Sequence, residues 1–434
     1  MSGWSELRRV LPATADVGEA GRLTIGGCDV EELVRAHGTP LFVMDEEDFR
    51  SRLSAYRDAF GGENVHYAAK AFLTSTLAPV LSEEGVGLDC ASGGELYTAL
   101  QGGFDPRRIV LHGNNKSDEE LELAVDSAVY RVVIDSVHEL EQLERIAASR
   151  EVAVGALLRI APGIEAHTHD YLKTAIEDTK FGVQLGEGAR RAIDLAARAP
   201  HVELEGIHCH IGSQVFDLFP FEEAARVLVA FLAEMRRATG LELPELDLGG
   251  GLGIAYLPSD EPSAVSELAK SVLGAVEAAA REHDTPVPVV KVEPGRSVVG
   301  PSMVTLYRAG TIKEVPGIRT YLAVDGGMSD NIRPALYGAP YTFLSATRPQ
   351  APHDRTYAIA GKLCESGDLL SKDARLPDVQ PGELVAVAAT GAYCYAMSSN
   401  YNRLPRPGVV AVRDGAVRVL ARRETWDDLV RLER

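Results

Sequence analysis

Val65-His66-Tyr67-Ala68-Ala69-Lys70 is a β-rich stretch that stops on a lysine just where helical composition begins. Its neighbours, including Ala71, Phe72 and Leu73, are apolar or aromatic, so an ammonium there is poorly hydrated. Desolvation lowers a lysine pKa and makes the amine a nucleophile. The plain alternative is a strand-end lysine whose head snorkels to solvent. The rest of the chain decides between the two.

The same strand-then-helix pattern repeats. β-Rich runs fall at 65–69, 86–90, 108–112, 131–135, 154–160, 204–210, 245–248 and 287–292, with helical composition between them. Three of the helical stretches open with Ser-x-x-Glu, at Ser92/Glu95, Ser117/Glu120 and Ser136/Glu139, and are expected to form capping boxes. Eight strands alternating with helices predict an α/β fold built on a (β/α)8 TIM-like barrel. Sites in such barrels lie at the C-terminal ends of the strands. Lys70, Asp89, His112 with Asn114, Asp135, Arg159, His210, Gly249-Gly250-Gly251 and Glu293 all end or follow a run. Singly, Asp89 and Asp135 read best as turn residues or helix caps. Together the set predicts one polar mouth.

Residues 1–45 hold short apolar runs broken by Gly26-Gly27 and Gly38-Thr39-Pro40, without a core of their own. From about residue 300 strand-like runs at 303–315, 319–324, 356–361, 383–389, 409–413 and 416–420 replace the helical spacing. The expected organisation is a barrel over 46–300 and a mostly antiparallel β domain over 301–434, completed by strands from 1–45. A long excursion, 161–186, carries Glu165-Ala-His-Thr-His-Asp170. His167 and His169 alternate in a polar loop with few other ligand types, which predicts a solvated lid rather than a metal site.

At 434 residues the chain exceeds one ordinary core, and its formal net charge of −19 gives no electrostatic footprint for nucleic acid or an anionic membrane. Its five cysteines are odd in number, few for the length and without CxxC spacing, which argues against a disulfide scaffold and a zinc site and fits a reducing cytoplasm. The polar start, Met1-Ser-Gly-Trp4, has no apolar leader, and no apolar run is long enough to span a bilayer. The expectation is a soluble cytoplasmic protein.

A reactive lysine in a barrel mouth suits Schiff-base chemistry, and two features add a phosphate. Leu246-Asp-Leu-Gly-Gly-Gly-Leu-Gly253 places bare backbone N–H groups after the seventh run, and Glu293-Pro-Gly-Arg296 places a glycine and a cation after the eighth. Phosphate sites in this fold favour the late strands. A lysine plus a phosphate cradle describes pyridoxal 5′-phosphate, with Glu293 as the carboxylate that keeps the ring nitrogen protonated. His210, in His208-Cys-His-Ile-Gly-Ser213, is placed to stack on the ring and Ser213 to meet the phosphate. Asp89, Gly250, Gly251 and Gly295 complete the candidate cofactor-binding set.

These motifs, with Cys364-Glu-Ser-Gly-Asp368 and Gly391-Ala-Tyr393, resemble the fold-type III pyridoxal-phosphate decarboxylases. Val324-Asp-Gly-Gly-Met-Ser-Asp-Asn-Ile-Arg333-Pro-Ala-Leu-Tyr337 and Ala166-His-Thr-His-Asp170 are most similar to the diaminopimelate decarboxylases, and the likeness runs in order along nearly the whole chain. The resemblance implies an alanine racemase/ornithine decarboxylase-like fold, a homodimer with shared active sites, and conversion of meso-2,6-diaminopimelate to L-lysine. It makes Lys70 the Schiff-base lysine, His210 the stacking residue, Cys364 the proton donor, and Ser213, Gly251 and the Glu293–Arg296 turn the cofactor holders. Arg296, Arg333, Tyr337 and Tyr393 would hold substrate, Tyr393 also lying near the phosphate. Glu365 would read the distal amino group, and Cys364 and Glu365 would come from the neighbouring subunit. Thr174-Ala175, where a second small residue such as glycine is expected, departs from the family pattern.

Selectivity is expected at the far end, where an acid and cationic forks meet a second ammonium and carboxylate. Other readings stay open: a decarboxylase for ornithine, arginine, a D-amino acid, a carboxylated polyamine or a carrier-bound amino acid, and a non-catalytic pyridoxal-phosphate-binding protein. A racemase would need a second base, usually a tyrosine, where Cys364 stands.

Overall fold

The computed structural model describes residues 3–164 and 179–433, which form two compact units. His167, His169 and the Thr174-Ala175 pair lie outside the described residues.

One unit comprises Leu53–Gly253 and Pro262–Gly295. Among the described residues eight parallel strands follow one another round its sheet: His66–Ala68, Gly87–Cys90, Ile109–Leu111, Arg131–Ile134, Val154–Ala161, Val202–His208, Glu245–Asp247 and Val289–Lys291, and a short ninth, Val183–Gln184, pairs in parallel with Val154–Ala161 off this path. A parallel bridge between Val65 and Val292 joins the first strand's edge to the eighth, reinforced by His66 N–H to Val292 O at 2.9 Å and Ala68 N–H to Pro294 O at 3.0 Å. The sheet therefore closes into the expected barrel. Ile109–Leu111, flanked by neighbours on both edges, is apolar throughout and every residue is buried. Helices cover the outside with one apolar stripe each; in Val137–Ser149, Leu140, Leu143, Ile146 and Ala147 are buried at helical spacing.

Of the three expected capping boxes one closes. At Ser117 the side chain accepts the Glu120 N–H while the Glu120 carboxylate accepts the Ser117 N–H. Ser92 and Ser136 cap their helices, but their glutamates are drawn elsewhere: Glu95 to the Ala91 N–H, and Glu139 to the buried Lys116 ammonium at 2.5 Å. A buried cation outbids an N-cap amide for a carboxylate.

The other unit comprises Met1–Arg52, Ile254–Glu261 and Arg296–Arg434. Its main sheet runs in the order Leu369–Leu376, Arg355–Ala360, Arg319–Val324, Met303–Val315, Leu41–Asp45, Gly408–Arg413, Ala416–Ala421. Most pairs are antiparallel, and Leu384–Val387 pairs with both Met303–Val315 and Phe343–Ser345. The N-terminal strand Leu41–Asp45 sits inside this sheet, and all of its residues are buried. Leu7, Leu23, Ile25, Leu33 and Val34 pack with Val304, Leu306, Ala386 and Val410 in one core. Leu369–Leu376 reads as polar in sequence because Ser371, Lys372 and Asp373 are partly or fully exposed, and so escaped recognition as a strand. Among the described residues no helix is long and apolar enough to cross a membrane.

Candidate active site

The barrel unit gathers a line of polar groups at the C-terminal ends of its strands. Lys70 stands two residues beyond the first strand, and its Nζ lies 3.0 Å from Asp89 Oδ2 on the second. Asp89 is fully buried, whereas the Lys70 side chain is 36% exposed. The lysine thus differs from the apolar setting expected from its sequence neighbours, because the carboxylate that holds it comes from the next strand. Asp89 Oδ1 has no hydrogen-bond partner among the described residues and lies 3.7 Å from His112 Nε2.

His112 Nε2 is 2.5 Å from Glu293 Oε1, and His208 Nε2 is 3.2 Å from Glu293 Oε2. All three side chains are buried, and the two imidazoles meet edge to face at 4.7 Å. His112, His208 and Glu293 offer metal-ligand chemistry, their atoms lying within 4.8 Å of one another. The 2.5 Å contact is nonetheless hydrogen-bond length, shorter than the roughly 3.3 Å between two ligands on one tetrahedral ion. Burial alone would raise the Glu293 carboxyl, but the two imidazoles more than reverse this and hold it well below the usual carboxylate range. Glu293 therefore stays anionic, with both oxygens engaged by histidines that sequence reasoning did not assign to it. Next to them, burial and the Glu293 charge push Asp247 up to about 8.

The loops after the sixth, seventh and eighth strands stack backbone on backbone. A Cβ at Gly250 would come within 2.2 Å of the Glu293 carbonyl, and one at Gly295 within 2.9 Å of Ala68 Cβ. Only glycine permits either approach. Gly250 N–H donates to His210 Nδ1 at 3.3 Å, which leaves the ring hydrogen on Nε2. Burial, reinforced by the Lys70 and Arg159 charges, keeps the partly buried His210 imidazole neutral. The backbone N–H groups of Gly251 and Gly295 donate to no described residue. Ser213 is partly buried in the loop after the sixth strand. Asp135, read from sequence as a turn residue, accepts the Gly182 N–H at 2.8 Å and stands 3.9 Å from Arg159, whose guanidinium lies over Phe181.

The β unit holds a second cluster. Arg296 Nη1 donates to Tyr256 Oη at 2.6 Å, and its guanidinium carbon lies 4.8 Å from the Tyr393 ring centroid. Arg333 opens the short helix Arg333–Tyr337 and donates to both Tyr256 and Tyr341 hydroxyls. Tyr337 ends that helix and is partly exposed. Cys364 and Glu365 do not join this cluster: both are exposed, the Cys364 N–H going to Asn402 Oδ1 and the Glu365 carboxylate to the Gly367 N–H. Their loop is fixed by Asp368, whose buried carboxylate accepts the Met328 and Leu363 N–H groups at 2.7 and 2.9 Å. Tyr256 and Tyr341 were not singled out from sequence. A tyrosine three residues past Gly253 was the one local signal for the first, and the second had none.

Residues 46–300 match the family model described as "Pyridoxal-dependent decarboxylase, pyridoxal binding domain". The chain is 46% identical to the diaminopimelate decarboxylase of Bacillus subtilis over 98% of both chains. It is 47% identical to that of Mycobacterium tuberculosis H37Rv, over 98% of this chain and 97% of the relative. Its fold is similar to the crystal structure of the M. jannaschii diaminopimelate decarboxylase in complex with L-lysine, with a TM-score of 0.90, 32% identity and 98% of each chain covered. With a closed barrel joined in one sequence to a mostly antiparallel sheet, and with such identity over nearly the full length of these relatives, the chain belongs to the diaminopimelate decarboxylase family.

Proposed function

We propose that this chain performs the pyridoxal-phosphate-dependent decarboxylation of meso-2,6-diaminopimelate to L-lysine and CO2, the last step of lysine biosynthesis. The observation that carries it is the Lys70 amine at the first strand end, facing a mouth whose late strands present an anionic Glu293 and two uncommitted backbone amides. Identity of 46% over 98% of the chain to a diaminopimelate decarboxylase supports the choice of substrate.

The residues present fit the cofactor. Gly251 and Gly295 offer N–H donors without described acceptors, which suits a phosphate, and Glu293 offers a carboxylate held anionic in a buried site, which suits a protonated ring nitrogen. When bound, pyridoxal phosphate supplies the π-system that accepts the electron pair of the breaking Cα–carboxylate bond. Lys70 is its attachment point, held by Asp89. His210 presents a neutral ring face, and Ser213, Gly250, Gly251, Gly295, Arg296 and Tyr393 hold the phosphate end. Arg296, Arg333, Tyr337 and Tyr393 bind substrate, the arginines taking the carboxylate at the non-reacting end and Glu365 its ammonium. Cys364 delivers a proton to Cα after CO2 leaves.

Cys364 and Glu365 are exposed on this chain, which supports a homodimer in which each copy lends both residues to its partner's site. The protein acts in the cytoplasm, on a small amino acid and without nucleic acid. CO2 release by the cofactor-loaded protein from meso-diaminopimelate, L-lysine, L-ornithine, L-arginine and D-lysine tests the assignment. Strong preference for diaminopimelate is expected, and release from one of the others in its place would overturn it.

A further inference from the structure

Arg333 is buried, 3% exposed, and both hydrogens of its Nη1 are committed: one to Tyr256 Oη at 2.7 Å, the other to Tyr341 Oη at 2.5 Å. Arg296 Nη1 reaches the same Tyr256 oxygen at 2.6 Å, so one phenol ties two guanidiniums together. The two tyrosine rings pack edge to face at 5.0 Å, and the Arg333 guanidinium lies 5.0 and 5.6 Å from their centroids. Thr342 Oγ1 donates to the Tyr256 carbonyl at 2.7 Å, and Asp260 accepts the Tyr256 N–H at 2.9 Å. The hub is therefore anchored through its own backbone.

The second tyrosine is anchored through sulfur. Tyr341 Oη lies 3.4 Å from Cys394 Sγ, which reaches the Ala392 carbonyl at 3.7 Å. With the thiol donating to that carbonyl, the Tyr341 hydroxyl donates to sulfur, and its oxygen is left to accept from Arg333. Burial pushes the Cys394 thiol up to about 11 and holds the Tyr341 phenol well above its ordinary range, so neither gives Arg333 a negative partner. No described carboxylate lies within ion-pair distance of Arg333. A guanidinium buried among neutral groups is costly unless an anion completes it. With Nη1 committed, the edge that remains is Nε–Nη2, the pair of parallel N–H groups that matches a carboxylate.

We propose that Tyr256 and Tyr341 are positioning residues for carboxylate recognition: by taking both Nη1 hydrogens they fix the guanidinium so that its Nε–Nη2 edge is the one offered to the substrate's non-reacting carboxylate. This rests on the assignment of Arg333 to that carboxylate. The carboxylate survives decarboxylation, so L-lysine carries it and cadaverine, the same diamine without it, does not.

The experiment compares inhibition of the cofactor-loaded enzyme by L-lysine and by cadaverine in wild type, Arg333→Met, Tyr341→Phe and Tyr256→Phe. In Tyr341→Phe the inhibition constant for L-lysine and the KM for diaminopimelate are expected to rise about 10-fold. Cadaverine inhibition and kcat are expected to stay within about threefold. Thermal melting identifies a variant that has lost its fold, and Tyr256→Phe then carries the same comparison. If Arg333→Met weakens L-lysine no more than cadaverine, the assignment of Arg333 itself falls. If Arg333→Met discriminates and the folded tyrosine variants weaken both inhibitors equally, or neither, the assignment of Arg333 stands and the positioning role is refuted.

Discussion

Replacing Glu293 by glutamine removes the negative charge between two buried imidazoles and almost nothing else. As built, His112 and His208 direct both Nε2 atoms at the carboxylate, at 2.5 and 3.2 Å, and a carboxylate accepts from both at once. A glutamine accepts through oxygen from one histidine and presents N–H to the other, which must then move its own hydrogen to Nδ1. His208 Nδ1 is buried without a partner, so that tautomer leaves an N–H unsatisfied. One lost charge-assisted bond and one stranded donor together cost about 2–5 kcal/mol. Part returns because Asp247, pushed up to about 8 by burial and the Glu293 charge, is relieved when that charge disappears. The expected net loss is about 1–3 kcal/mol, read as a lower urea midpoint of the cofactor-free protein at pH 7.5. Because the Glu293 carboxyl is held below its ordinary range, its contribution is whole above the unfolded value of about 4.3 and fades as pH falls through the folded one. The gap between wild type and variant therefore starts to close below about pH 4. Equal midpoints at pH 7.5 would refute the account of Glu293 as an anion held by two histidines.

Lys70→Ala is expected to abolish both activity and the visible absorbance of the lysine-bound cofactor; retention of both places the attachment point elsewhere. Cys364→Ala is expected to keep that absorbance while turnover falls by about 100-fold or more, and an unimpaired rate removes Cys364 as proton donor. Mixing the Lys70→Ala and Cys364→Ala proteins under conditions of subunit exchange is expected to restore part of the activity through hybrid dimers, and no recovery counts against shared sites. Asp247→Asn mimics the neutral carboxyl that burial enforces up to about pH 8. Wild type should therefore lose stability against this variant as pH rises from 5 to 8, by roughly 1 kcal/mol per pH unit; parallel pH profiles sink the idea that Asp247 is buried neutral.

The barrel was legible because its signal is local and repeated. Most strands announce themselves by a short apolar run, as Ile109–Leu111 and Val154–Ala161 do, and helices by an N-cap serine or an apolar stripe, and the topology of consecutive parallel strands leaves little else for the order to be. Glu46–Phe60, with Gly61 at φ 85° just past its end, needed no tertiary information. The β unit was less legible for a matching reason. Leu369–Leu376 alternates around an exposed Lys372-Asp373 pair and owes its strand geometry to antiparallel pairing with Arg355–Ala360. Where a partner strand supplies the hydrogen bonds, propensity is a weak guide.

The site divides along the same line. Lys70, His210 and Glu293 could be placed at strand ends from sequence because the fold predicts where those ends fall. Which neighbour each one pairs with could not be read. Asp89 looks like a turn residue until the second strand brings it to Lys70, 19 positions away, and His112 looks like a strand terminus until barrel closure sets it beside Glu293, 181 positions on. Tyr256 and Arg333 are 77 positions apart, and no spacing rule links a tyrosine after a glycine-rich loop to an arginine opening a later helix. Chemistry that depends on one donor and one acceptor is thus readable from sequence once the fold is known. Chemistry that depends on which hydrogens of a guanidinium are already spent is not, because that count exists only after the chain has closed on itself.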